Sequence, residues 1–342
     1  MKNVTIANVA EHAGVSKSTV SQFLNKRFDY MSVETKKKIE QAIQELNYQP
    51  NIIARSLKVK QTTTIGVVVA NILHEFSTQV IRSIENVCQQ SGYHIIVCNA
   101  DDDPVKEENH IQMLLAKQVD GIIVFPSGAN NEIYKKLSKD NFPIVFIDRY
   151  IKDINVQTVL LNNENASYLA VERFIKNGYR NIAMITTTLD NNITPRIERI
   201  NGYKNALRSY DLSIREEFIR SVDIEFVQEA LKELSELEKP PEALLLGNDR
   251  VLLETLKYIK KNKIIIPDEL AIIGIDNVAY ADIFDPPITT ISQPTYSIGK
   301  KAADLLLSKI STYSKNDVNT NIFRFEPKII ERESCNRKDV NK

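Results

Sequence analysis

Cysteine is scarce in this 342-residue chain: Cys88, Cys98 and Cys335 are all there is, and none has a CxxC neighbour. That excludes a closed disulfide framework and suits a reducing compartment. Long apolar runs are also missing. None approaches the roughly 18 residues that a membrane helix needs, and the opening MKNVTIANVAEHAG holds no apolar core of signal-peptide length. The expectation is a soluble, cytoplasmic protein without a membrane partner. No GxGxxG follows the first apolar run, and neither GxxxxGK[ST] nor GxSxG occurs. Dinucleotide, P-loop and serine-hydrolase chemistry therefore lack support. The four histidines (12, 74, 94, 110) are not paired at metal-ligand spacing. The run Asp101-Asp102-Asp103 precedes Pro104, so Asp103 reads as a helix N-cap rather than a metal ligand. No metal and no cofactor is expected.

An excess of either charge is lacking overall, with 44 basic against 44 acidic side chains. The balance hides an asymmetry. Residues 1–60 hold ten basic and five acidic side chains, so the remainder carries the opposite excess. A small basic head on an acidic body points to nucleic acid, or to a solvated basic surface.

The first 48 residues read as three short helices: Val4–His12, Lys17–Asn25 capped by Ser16, and a third capped by Ser32 that runs through Glu34, Ile39, Ile43 and Leu46. Pro50 stops what precedes it, Asn51–Leu57 has room for one more short helix, and Lys58–Thr64 looks like a linker. From Thr64 the pattern alternates short β runs with amphipathic helices. Thr64–Asn71, His94–Asn99, Gly121–Phe125, Ile144–Asp148 and Val156–Leu161 form one series. Asn181–Thr186, Phe218–Ser221, Ala243–Gly247 and Leu270–Ile275 form a second. Continuous apolar strands joined by helical crossovers predict parallel sheets covered on both faces, in two α/β lobes. A helix at Thr295–Ser311 and a strand at Asn321–Arg332 come late and return to one lobe each.

The segment Thr5–Leu24, TIANVAEHAGVSKSTVSQFL, has Ala10, Gly14 and Val20 at spacings of four and six. That is the helix-turn-helix requirement: a small residue where helices touch, a flexible turn, and an apolar residue locking the second helix. A structural helix pair is the alternative. On the first reading Lys17, Ser18 and Gln22 face outward to reach base edges. Ser16, Thr19 and Ser21 suit phosphate contacts, and Val20, Phe23 and Leu24 point into the core.

Together with Asn47-Tyr48-Gln49-Pro50-Asn51-Ile52-Ile53-Ala54-Arg55-Ser56-Leu57, this segment resembles the LacI/GalR family of bacterial repressors. The resemblance continues through Thr64–Val69, Val119–Ile123, Ile147-Asp148-Arg149, Gly247-Asn248-Asp249, Gly274–Asn277, Asp285–Thr290 and Glu331–Cys335, so it spans essentially the whole chain. It implies an α/β protein with a three-helix head, a hinge helix and a two-lobed, periplasmic-binding-protein-like body. The implied boundaries are 1–49 for the head, 50–63 for hinge and linker, and 64–335 for the body. Lobe 1 covers about 64–161 plus 291–320, and lobe 2 about 162–290 plus 321–335. The DNA-binding set implied is Thr5, Ser16, Lys17, Ser18, Thr19, Ser21, Gln22, Asn25, Asn51, Ala54, Arg55 and Leu57. Leu57 is the minor-groove wedge, which bends the duplex at a deformable step, or else a linker residue packed on its own body. Relatives commonly carry Arg where Gln22 stands. Gln suits adenine, so base preference at that position should differ.

Ligands of α/β lobes sit at the carboxyl ends of parallel strands. Asn71, Asp148-Arg149, Asn248-Asp249 and Asp276 lie there. The resemblance assigns effector contacts to Asp148, Arg199, Asn248 and Asp276, with His74, Phe76, Phe125 and Ser127 on the first lobe's rim. Arg149 and Arg196 complete the set. Arg196 and Arg199 share a helix face, each alternatively a surface ion pair with Glu198 or a neighbour, and Asp249 alternatively caps the next helix. Such a cleft fits a sugar, sugar acid or sugar phosphate. Phe28–Ser32, Ile111–Leu115 and Asn130–Tyr134 look most like the 2-keto-3-deoxygluconate-responsive branch. The expectation is a homodimeric repressor of carbohydrate catabolism, bound to a double-stranded palindromic operator and released by a carbohydrate effector. A transporter's solute-binding protein and a sugar-processing enzyme are the alternatives. Corepression would use the same architecture.

Overall fold

The computed structural model describes residues 4–29, 31–49, 61–190, 193–311 and 322–337. They fall into two compact units that divide between Thr63 and Thr64.

The first unit consists of α1 (Ile6–His12), α2 (Lys17–Leu24) and α3 (Val33–Glu45). The Ser16 and Ser32 hydroxyls accept the backbone N–H of Thr19 and Thr35, each at 3.1 Å, satisfying donors that the first helical turn leaves orphaned. Gly14 turns the chain between α1 and α2 at φ +67°, where only glycine is unstrained. Val9, Ala10, Val20, Ile39, Ala42 and Tyr48 are buried together, with Phe23 and Leu24 packed against them. The three helices thus enclose one small core.

The second unit is built on two six-stranded sheets. In lobe 1 the order is β11-β5-β4-β3-β1-β2, where β1 is Thr64–Val69, β2 His94–Asn99, β3 Gly121–Val124, β4 Ile144–Ile147, β5 Gln157–Leu161 and β11 Ile322–Phe325. All its pairings are parallel. In lobe 2 the order is β12-β10-β9-β8-β6-β7, where β6 is Ile182–Thr186, β7 Ile219–Ser221, β8 Ala243–Leu246, β9 Ala271–Ile275, β10 Thr289–Ser292 and β12 Lys328–Ile330. Only the β10/β12 pair there is antiparallel. Central strands such as β3, β4 and β8 are buried along their whole length, as expected for parallel strands covered by helices on both faces.

Eight further helices among the described residues cover these sheets: α4 (Glu75–Gln90), α5 (Pro104–Ala116), α6 (Asn131–Lys139), α7 (Asn163–Lys176), α8 (Thr194–Ser209), α9 (Val227–Ser235), α10 (Asp249–Asn262) and α11 (Thr295–Ser311). Asp103 caps α5 with Pro104 in its first turn. α7 and α8 touch backbone to backbone at Gly202, where a Cβ would lie 2.0 Å from the Glu164 carbonyl oxygen.

Two expected boundaries are corrected. The single late strand at 321–332 is two strands. Glu326-Pro327 interrupts it, because proline has no N–H for a ladder. β11 joins lobe 1 and β12 joins lobe 2, so 322–325 belong to the first lobe rather than the second. Residues 291–292 complete β10 and belong to lobe 2, while α11 packs on α4 and β3–β5 in lobe 1. The chain thus crosses between lobes at 161–163, 292–295 and 325–328.

Candidate functional site

The head presents its polar residues on α2. Lys17, Ser18 and Gln22 are exposed, as are Thr5, Ser16 and Asn25, while Thr19 and Ser21 are half-buried. Several of these side chains are already engaged. Ser16 Oγ lies 2.6 Å from Ser18 Oγ and 2.8 Å from Thr19 Oγ1, and Asn25 Nδ2 donates to the Ser21 carbonyl. The Lys17 and Gln22 side chains make no hydrogen bond to another described residue, which leaves an ammonium and a primary amide free on one exposed surface. An amide matches the N6/N7 edge of adenine, and an ammonium either the O6/N7 edge of guanine or a phosphate. Asn51, Ala54, Arg55, Leu57 and the hinge helix assigned to 51–57 lie outside the described residues.

In the body, both lobes end a central strand on an aspartate in the left-handed region: Asp148 after β4 (φ +68°) and Asp276 after β9 (φ +87°). In each, the aspartate N–H donates across to the neighbouring strand, Asp148 to Val159 and Asp276 to Ile291. Aspartate is among the residues that tolerate this region, so both strand ends adopt it without a glycine.

Arginines from both lobes gather around these ends. Arg149 is buried; its guanidinium donates to the Asp102 carboxylate at 2.6 Å and to the Pro126 carbonyl at 2.9 Å. Its Nε has no hydrogen-bond partner among the described residues, with the Asp148 carboxylate 3.9 Å away. Arg196, from the first turn of α8, donates to the Thr188 carbonyl at 2.5 Å. Burial, with Arg149 close by, pushes its pKa down to about 10 despite the opposing pull of Asp102 and Asp148. Burial alone would raise the Asp102 carboxyl, but Arg149 and then Arg196 outweigh it and hold the group below its ordinary value.

A second cluster surrounds Asp276. Asp276 is buried and receives Gln293 Nε2 at 2.5 Å and the Asp249 N–H at 3.3 Å. Burial and the neighbouring Asp249 carboxylate raise its pKa to about 6. A cavity of about 150 Å³ lies here, lined by Glu75, Phe76 and Gln79 of lobe 1 and by Asp276, Asn277, Ser292, Gln293 and Thr295. Gln293 Oε1 is buried there with no hydrogen-bond partner among the described residues. A larger cavity, about 340 Å³, sits at the far end of α10 beside Phe284. It is remote from the strand-end cluster and brings together no matched acceptors or guanidinium groups.

The remaining candidates are placed as follows. Arg199 is buried and committed to Asn163 Oδ1 (2.8 Å) and the Gly247 carbonyl (2.6 Å). Neither Arg196 nor Arg199 pairs with Glu198, which takes Arg324 instead. Asn248, not Asp249, caps α10 by accepting the Val251 N–H at 2.9 Å. Asn71 Oδ1 accepts the Leu73 N–H within its own turn. Phe76 and Phe125 are buried edge to face at 6.3 Å. Ser127 is diverted: its N–H and hydroxyl both go to buried Glu107, which also accepts Asn130 and Tyr134. His74 reaches across to Asp249 at 2.5 Å. The sequence reading passed over Asp102, Glu75 and Gln293. Asp102 follows a strand end, and the rule that selected Asp148 could have selected it.

Among the described residues no three His, Cys, Asp or Glu side chains are placed to hold a metal, and no helix is long and apolar enough to cross a membrane. All three cysteines are free and buried.

Comparison with known proteins agrees with both units. Residues 5–51 match the family described as bacterial regulatory proteins, lacI family, and residues 171–335 match a periplasmic binding protein-like domain. The chain is 47% identical to the "Probable HTH-type transcriptional regulator EndR" of Paenibacillus polymyxa, over 96% of its own length and 98% of that protein. It is 34% identical to the HTH-type transcriptional repressor PurR of Aliivibrio fischeri (strain MJ11), over 96% and 98%. A crystal structure of the lac repressor bound to ONPG in its repressed state superimposes with a TM-score of 0.84 at 26% identity, covering 97% of this chain and all of that one. A helix-turn-helix head with its amide and ammonium exposed, joined to a two-lobed body and matched along its whole length by DNA-binding regulators, places the chain in the LacI family of bacterial transcriptional regulators rather than among enzymes or transport proteins.

Proposed function

We propose that this regulator represses genes of carbohydrate catabolism from a near-palindromic operator, as a cytoplasmic homodimer, and that a sugar acid bound between its lobes releases it. The polarity of the cleft carries the effector reading. Beside Asp148, Arg149 Nε has no hydrogen-bond partner among the described residues, and Arg196 gives one guanidinium nitrogen to the Thr188 carbonyl. In the second cluster, Asp276 and the unpartnered Gln293 Oε1 offer acceptors. A polyhydroxylated carboxylate satisfies both clusters in one orientation, its carboxylate on the guanidinium groups and its hydroxyls on the acceptors. Of the candidate residues, Asp148, Arg149, Arg196 and Asp276 are the direct contacts, with Asn248 and Arg199 holding the strand ends. 2-Keto-3-deoxygluconate is the first compound to try.

Two copies of the head reading successive major-groove half-sites account for the palindrome. Coupling of lobe angle to operator affinity would then let effector binding in the body release the operator. Selection of duplex DNA from a random library, with and without candidate sugar acids, tests the whole reading. The expected product is a palindrome with a flexible central step that disappears when one ligand is added. A palindrome recovered only with ligand reverses the sign of regulation, and neutral sugars acting as well as acids overturns the assignment of the arginines.

A further inference from the structure

Asp249 lies on α10 of lobe 2, yet most of its carboxylate bonding is to lobe 1. Oδ1 is 2.5 Å from His74 Nδ1, and Oδ2 accepts the Glu75 N–H at 2.8 Å. Glu75 is the first residue of the 16-residue α4, whose N-cap position, His74, makes no side-chain cap bond of its own. One of the first-turn donors that α4 leaves orphaned is thus satisfied from the other lobe. The same carboxylate accepts the Arg250 N–H at 2.8 Å in the first turn of α10. Two helix N-termini, one from each lobe, thus converge on one carboxylate, where both dipoles favour negative charge.

The exchange is reciprocal. Glu75 of lobe 1 sends Oε2 to the Ala279 N–H of lobe 2 at 3.4 Å, opening the short turn Ala279–Ala281. Asp249 is 6% exposed, so water contributes little to its solvation. The other charged groups facing this point are Asp276, whose carboxylate accepts the Asp249 N–H, and Arg199, which faces Asp276 in turn. Burial works to raise the Asp249 carboxyl, but His74 and the two backbone donors outweigh it and leave it below its ordinary value.

We propose that Asp249 is a positioning residue for lobe closure: by capping α4 in trans and holding His74, it biases the body toward the closed arrangement before any effector arrives. The clasp sets how far the two lobes stand apart at rest, and so how much of an effector's binding energy goes into closing them. It stands whatever the effector proves to be, because it is made by protein groups alone.

Spin labels report it in the full-length protein without ligand. Val105 (68% exposed, lobe 1) and Glu238 (exposed, lobe 2) accept cysteine substitutions, while the native thiols are buried. The distance distribution between labels is measured for the parent and for Asp249→Ala, Asp249→Asn and His74→Ala. Losing both arms in Asp249→Ala should raise the open population roughly tenfold or more, the equivalent of one charge-assisted hydrogen bond. Asp249→Asn keeps one acceptor for the Glu75 N–H and should fall between, as should His74→Ala. A folded Asp249→Ala protein with the parent distribution overturns the proposal. If that variant fails to fold, Asp249→Asn and His74→Ala decide: both matching the parent overturns it equally. A residue that only supported the stability of its own helix would lower the melting temperature without moving the labels.

Discussion

Asp276 works against the stability of the fold that holds it. Its pKa of about 6 lies above the roughly 3.9 of an aspartate in an unfolded chain, so folding favours its protonated form. Below about pH 4 the residue costs nothing. As pH rises from about 4 to 6 the unfolded carboxyl ionises while the buried one keeps its proton, so the stability of the body falls by roughly 2–3 kcal/mol in all and changes no further above 6. Asp276→Asn should therefore raise the melting temperature at pH 7.5, with the gain vanishing near pH 4, and should abolish effector binding, a trade of stability for function. Calorimetry at the two pH values checks it; a gain of equal size at both would remove the carboxylate as its cause. In the head, exchanging Gln22 for Arg should move the preferred base at one operator position from adenine toward guanine, since a guanidinium matches O6 and N7. Binding-site selection on the variant reads that directly, and an unchanged base preference would show that Gln22 does not face a base. Residues of this kind were legible in sequence because their position relative to a strand or turn defines them. Asp148 and Asp276 close apolar strands, and Gln22 follows from the helix-turn-helix spacing. Asp249 was not legible: its partner is 175 residues away, and a carboxylate at a helix start looks like a local cap.

Elements were legible where one periodicity ran unbroken and failed where two lobes shared a stretch of chain. The apolar runs of β3, β4 and β8 gave their strands, whereas Asn321–Arg332 looked like one strand because its alternation continues through Glu326-Pro327. The pattern carries no mark of a change of sheet; the missing N–H of Pro327 does. Two glycines separate conformation from packing at this scale. At Gly14 an added methyl would meet nothing within 4 Å, so the residue owes its identity to φ +67° alone. Gly14→Ala should cost the head about 1–2 kcal/mol of strain and leave it folded. At Gly202 the obstacle is the Glu164 backbone itself. Gly202→Ala must push α8 off α7, displacing Arg196 and Arg199 with it, at a cost of about 3 kcal/mol. Thermal melts should show the Gly202 variant losing the larger body transition and the Gly14 variant only the smaller one. Equal losses in the two would mean that the helices can slide to admit the methyl.

At the scale of the whole molecule the charge division matters first. The basic excess lies in residues 1–60 and the acidic excess beyond it, so the body repels the phosphates that the head attracts, and operator affinity should fall steeply with salt. Each phosphate neutralised contributes a slope of about −0.9 in log K against log salt. Lys17→Ala should shallow that slope by about one unit per head, which fluorescence anisotropy across a salt series would read. Coupling between the two units then obeys linkage. If an effector weakens operator binding by a factor within the usual 5–150-fold range, about 1–3 kcal/mol, saturating operator must weaken effector binding by the same factor. Opening the clasp at Asp249 adds a constraint. If closure is the state the effector selects, Asp249→Ala should weaken effector binding to the DNA-free protein by the same factor that it lowers the closed population. Titration calorimetry on the parent and Asp249→Ala proteins, both free of operator, supplies the two effector affinities. A loss of affinity unequal to the fall in closed population would mean that lobe closure is not the change the effector selects.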